Sequence, residues 1–99
     1  MAVFFTSGEW FVKPGHEEQF FAAWTAAKDP VPPLQGVRTA PRLLRDLRPA
    51  GRYVSFAEFE SLEAIEEFRS RPDFDELIGA MRDHLEDLKI STFEQVIAP

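Results

Sequence analysis

The chain of 99 residues is long enough for one domain, and a formal net charge of −6 excludes the basic face that nucleic acid or an anionic membrane requires. The absence of cysteine removes disulfides, thiolate catalysis and thiolate metal sites; His16 and His84 lie far apart in sequence, which argues against a histidine-built metal site. No stretch could span a membrane and the N-terminus lacks the basic segment of a signal peptide, so a cytoplasmic protein is expected.

Residues 2–13 are rich in Val, Phe, Thr and Trp, which suits a strand. Gly8 within it points to a bulge or a close backbone approach. Pro14-Gly15 ends the strand. A helix should follow, with Glu17 and Glu18 at its positive end, Lys28 near its negative end, and Phe20, Phe21, Trp24 and Ala27 as the apolar stripe. His16 falls in its first turn and should be at the surface. The three prolines between Asp29 and Gly36 require a loop.

Residues 37–47 form a second strand. Pro41 inside it cannot donate to a ladder, which places the strand at a sheet edge. Arg48-Pro49-Ala50-Gly51 makes a hairpin turn into Arg52–Glu60, the strand around which the chain is organised. Along it Tyr53, Ser55, Ala57 and Phe59 alternate with Val54, Phe56, Glu58 and Glu60. Apolar residues on both sides imply a central strand covered on both faces. Glu58 and Glu60 should meet Arg42, Arg45 or Arg48 across the hairpin or a dimer interface.

Ser61 is placed to cap a short helix carrying Leu62, Ile65 and Phe68, which Pro72 stops. Asp73 with Glu76 resembles a capping box. The next helix should be the clearest, since Phe74, Leu77, Ile78, Met81, Leu85 and Leu88 repeat at helical spacing; His84 flanks that stripe. A last strand is expected over 90–98.

This order closes most simply as an α+β, ferredoxin-like βαββαβ fold, with a four-stranded antiparallel sheet of order 4-1-3-2 and the helices on one face. The other face, carrying Val54 and Phe56, would be an interface, so a homodimer that stacks sheet on sheet is expected. A domain this small buries only about 60–70% of its unfolded surface, so association would help it.

Several segments resemble the antibiotic biosynthesis monooxygenase (ABM) domain over nearly the whole chain. They are Lys13-Pro14-Gly15 with Glu17, Glu18 and Phe20; Leu43-Leu44-Arg45-Asp46; Pro49, Gly51, Arg52 and Tyr53; and Phe59-Glu60-Ser61 followed by the segment from Pro72 to Phe74. The resemblance implies one ABM-like domain over residues 1–99, a dimeric α+β barrel, and a ligand pocket between sheet and helices. The family includes cofactor-independent oxygenases of polycyclic phenols, quinol monooxygenases, haem degraders, and members without assigned activity.

The family's Asn and Trp on the third strand correspond to Ser55 and Phe59, and a Tyr shortly after them to the neighbourhood of Ile65. The oxyanion-stabilising Arg of the last helix has no match in frame. The haem degraders' Asn, Trp and His ligand would fall on Gly8, Phe68 and Ile78, which argues against haem degradation. These positions, with the polar and aromatic residues that such chemistry needs, give Ser55, Tyr53 and His84 as catalytic candidates and Phe59, Trp24, Ile65, Phe68 and Ile78 as substrate-binding ones. No cofactor or metal is expected. A serine among large strand residues leaves room and can hydrogen-bond a substrate oxygen; local bonding of its hydroxyl is the equal alternative. Trp24, Phe20 and Phe21 suit the core better than a pocket.

Two functions lead, nearly equal. One is a cofactor-independent monooxygenase on an aromatic polyketide-like or quinol substrate. The other is a non-catalytic or degenerate dimer that binds a small aromatic molecule. A cyclase or isomerase on the same barrel is a third.

Overall fold

The computed structural model describes residues 2–28 and 35–99. Its elements are β1 (Phe4–Val12), α1 (Glu17–Lys28), β2 (Val37–Arg45), β3 (Arg52–Phe59), α2 (Leu62–Arg69), α3 (Phe74–Arg82) and β4 (Leu85–Glu94). All strand pairs are antiparallel and their order is β2-β3-β1-β4, the ferredoxin-like arrangement. β3 is internal and the Pro41 strand lies at an edge, where its missing N–H costs no ladder bond. The proline-rich loop expected over 29–36 lies outside the described residues, apart from Gln35 and Gly36, which form a turn.

Alternation along β3 sorts its side chains as its sequence requires. Tyr53, Ser55, Ala57 and Phe59 are buried, while Val54 and Glu58 are half-buried and Phe56 is exposed. The buried face packs on two clusters. Trp10, Val12, Phe20, Tyr53, Met81 and Leu85 form one, joined by Phe21 and Trp24 of α1. Ala57, Phe59, Ala64 and Ile65 form the other, under α2. Phe20 and Phe59 are almost wholly buried, so each contributes on the order of 2–3 kcal/mol through apolar area removed from water.

Local chemistry sets the helix ends. The Ser61 hydroxyl accepts from Ala64 N–H at 3.1 Å, capping α2 as expected. Asp73 also occupies an N-cap position, but it makes no capping bond. Its two carboxylate oxygens are taken by Arg71, at 2.6 Å from Nε and 2.8 Å from Nη2. The expected capping box is therefore replaced by a bidentate ion pair.

The largest departure concerns the last helix, which stops at Arg82 rather than continuing through Leu85 and Leu88. Those two leucines belong to β4. Leu85 pairs with Val12, whereas Phe11 pairs with Asp87, so Glu86 is an extra residue in the ladder. The bulge brings residues three apart onto one face of a strand, imitating a helical period. No bulge occurs at Gly8, where the alternative expectation, a close approach, holds. A Cβ there would meet the Trp10 ring at 2.6 Å.

Among the described residues, no helix packs on the opposite face of the sheet. Leu44, Phe56 and Phe93 are each about half exposed on it. Around them run ion pairs, from Arg52 to Glu9 (2.5 Å) and Asp46 (2.7 Å) and from Arg38 to Glu58 (3.7 Å). Within the chain, Glu58 thus pairs with Arg38 rather than with Arg42, Arg45 or Arg48. The Arg45 guanidinium instead lies over the rings of Tyr53 and Phe21, at 5.6 and 5.9 Å.

Candidate functional site

A cavity of about 400 Å³ lies between the sheet and the helices. That size suits a small organic ligand. Its sheet-side lining includes Thr6, Gly8 and Trp10 of β1 and Ser55, Ala57 and Phe59 of β3. Trp24 of α1, Phe68 of α2, and Leu77, Ile78 and Met81 of α3 close it from the helical layer. Most of the lining is apolar and aromatic.

On its sheet side two polar side chains are joined to each other. Trp10 Nε1 donates to Ser55 Oγ at 2.9 Å, and the bond is buried. Its geometry follows from the register. Gly8 and Ser55 are direct partners across β1 and β3, and Trp10 lies two residues beyond Gly8 on the same face. The missing Cβ at Gly8 lets the indole lie across β1 and reach the neighbouring strand. The serine oxygen accepts from the indole and keeps its own hydrogen to give, so it can donate to a ligand oxygen.

The five candidates Ser55, Phe59, Trp24, Phe68 and Ile78 come together in this cavity wall. Trp24 also packs against the core, so its two expected roles coexist. Tyr53, Ile65 and His84 are not part of the wall. Tyr53 is buried among Phe20, Phe21 and Arg45, with ring separations of 5.9 and 5.4 Å to the two phenylalanines. Ile65 packs under α2 against Ala57 and Phe59.

His84 is not on a helix flank. It occupies the turn between α3 and β4, and its carbonyl accepts from Lys13 N–H at 2.9 Å. That position is five residues beyond Gly8 along β1's direction, roughly 16 Å at about 3.3 Å per residue. His16, expected at the surface, is half-buried against it. The two Nδ1 atoms are 3.0 Å apart and the ring centroids 5.3 Å. The centroid separation matches the nitrogen separation plus both ring radii, so the nitrogens point straight at each other. That is the geometry of one shared hydrogen; two ligands of one metal would have lone pairs converging on a third point. Among the described residues, no three His, Asp or Glu side chains gather to hold a metal.

Trp10 is the site residue that strand-pattern reasoning misses. The signal available in the sequence is Gly8-x-Trp10 on a strand, a large ring two positions from a residue with no side chain. Arg71 is a second. Its side chain is only 10% exposed, it lines the cavity, and it holds the Asp73 carboxyl below the usual carboxylate range.

A family model for antibiotic biosynthesis monooxygenase matches residues 4–80. No curated protein sequence matches the chain significantly. Among solved structures, a variant of SnoaB, a cofactor-independent oxygenase from Streptomyces nogalater, superposes with a TM-score of 0.82 at 18% identity, covering 98% of this chain and 95% of that one. A conserved protein from Methanosarcina mazei gives 0.83 at 13% identity, covering 94% and 92%. The Mycobacterium tuberculosis protein Rv0793 gives 0.81 at 16%, covering 97% of each chain. These likenesses show a shared fold, and the family match fixes kinship: the chain belongs to the antibiotic biosynthesis monooxygenase family.

Proposed function

We propose that this protein is a cofactor-independent monooxygenase acting on an aromatic polyketide-like or quinol substrate seated between sheet and helices. The observation that carries the reading is the buried Trp10–Ser55 pair set among the aromatic and aliphatic residues of the cavity wall. Aromatic walls orient a flat substrate. The Ser55 hydroxyl donates to a phenol or carbonyl oxygen, and the indole behind it fixes the serine rotamer. That donor favours the substrate's anionic form and stabilises charge as it develops.

For an anthrone, loss of a ring-carbon proton gives an electron-rich anion that transfers electrons to O₂. A carbon–oxygen bond then forms, giving a hydroperoxide. Loss of water leaves a carbonyl at that carbon. One oxygen atom enters the product and the other leaves as water, so the substrate supplies all the electrons.

The sheet face bearing Phe56 and Phe93 is proposed to meet the same face of a second copy, making the homodimer. A second reading has its own support. The described part of the cavity wall contains no histidine or carboxylate to serve as base, which suits a non-catalytic dimer that binds an aromatic ligand. Oxygen uptake with a panel of anthrones and quinols separates the two. The proposal predicts uptake by the wild type that falls at least tenfold in Ser55→Ala. Binding without uptake across the panel would establish the second reading.

A further inference from the structure

The cavity's charge is opposite to that of the molecule. The chain carries 17 acidic residues against 11 Lys and Arg. Yet the charged residues of the cavity lining are Lys28, Arg69 and Arg71, with no carboxylate among the described residues there. The Arg71 side chain is only 10% exposed. Asp73 engages its Nε and Nη2, which fixes the plane of the guanidinium. Its third nitrogen, Nη1, is shut off from solvent and has no hydrogen-bond partner, the one such side-chain atom among the described residues.

An unsatisfied buried donor on a charged group is rare in folded proteins and calls for a cause. Asp73 does not supply one. Its side chain is half exposed, and its two oxygens are spent on the other edge of the guanidinium. Arg69 stands two residues away in the same lining and reaches the Ser91 carbonyl only at 3.5 Å.

We propose that Arg71 is the anion-binding residue of this cavity and that the aromatic ligand bears a carboxylate, received by the Arg71 guanidinium with Arg69 beside it. The inference rests on the aromatic-binding reading given above and adds the ligand's charge and its anchor. A carboxylate fits better than a phenol for a simple reason. It is already ionised at neutral pH, so a rigid, enclosed guanidinium meets its matching charge without first removing a proton. Ser55 and Trp10 then remain for the oxygen on the ring that reacts.

The test compares 2-naphthoate with 2-naphthamide, two ligands of nearly equal shape that differ in charge. Binding to the full chain at pH 7 is followed by quenching of Trp10 and Trp24 fluorescence and by calorimetry. The expected result is at least tenfold tighter binding of the carboxylate by the wild type. In Arg71→Met that advantage should fall below threefold. Equal affinity of the two ligands for the wild type would overturn the inference while leaving the aromatic cavity standing, and it requires no variant to fold. A full carboxylate advantage retained in Arg71→Met would also overturn it. Failure of both ligands to bind would remove the aromatic-binding reading and this inference together.

Discussion

The two faces of the one sheet differ in what finishes them. The helix-side residues of β3 are all closed over, and the Ser55 hydroxyl among them is matched by an indole N–H. On the opposite side of the same strand Phe56 is 44% exposed and its neighbours are tied by ion pairs. The first face is completed within the chain; the second is proposed to be completed by another copy. An alternating strand specifies which residues share a face. It does not specify the object that covers them.

The sharpest way to separate the faces is by truncation. Phe59→Ala, beneath α2, should destabilise the fold by about 3–5 kcal/mol in urea unfolding. Phe93→Ala, half exposed on the bare face, should stay within about 0.5 kcal/mol for the monomer fold. Equal losses would erase the distinction. The bare face should instead control assembly. The wild type should have a dimer's mass at micromolar concentration, and Phe56→Glu combined with Phe93→Glu should yield a folded monomer by light scattering.

The polar pair in the cavity gives intermediate effects. Ser55→Ala leaves Trp10 Nε1 buried without an acceptor and should cost about 1–3 kcal/mol. Gly8→Ala drives a methyl into the indole and should cost a similar amount, about 1–3 kcal/mol. It should also change the tryptophan emission, because the indole must move. An unchanged spectrum would contradict the close approach.

Acid should loosen the ion-paired hairpin. The Arg48 backbone N–H, at 2.8 Å, and then the Arg52 guanidinium hold the Asp46 carboxyl below its ordinary value of 3.8. A depressed folded value means that this contribution is complete above pH 3.8 and is lost as the pH falls through the lower folded value. Asp46→Asn should therefore flatten the acid limb of a stability–pH profile and leave its shape near neutrality alone. The smallest effect is expected at His84, which faces His16 rather than the cavity. His84→Ala should keep oxygen uptake within about twofold of wild type, well short of the 10²–10⁴-fold a general base supplies. A loss of that size would make His84 a catalytic residue after all.

Much of the fold is readable from single residues. Pro41 marks an edge strand, Ser61 a helix start, and the alternation in β3 an internal strand. Leu85 and Leu88 mislead, because a bulge at Glu86 copies a helical period, and bulges follow from pairing with a strand more than seventy residues away. His16 and His84 mislead for the same reason, since sequence distance hides a 3.0 Å contact made by chain closure. The cavity is partly readable. Ser55 stands out as a small polar residue among large ones, whereas Trp10 acquires its role only through the register that sets Gly8 opposite Ser55. Arg71 could not be singled out by pattern, because its enclosure depends on α2 and α3 meeting over the sheet.

The most direct test of the account is a crystal structure with a bound anthraquinone, the product-like oxidised ring system. The account predicts the rings between Trp24, Phe59 and Phe68, with a ring oxygen within hydrogen-bond distance of Ser55 Oγ. Rings stacked on the bare face against Phe56 and Phe93, with the Trp10–Ser55 cavity unvisited, would contradict it.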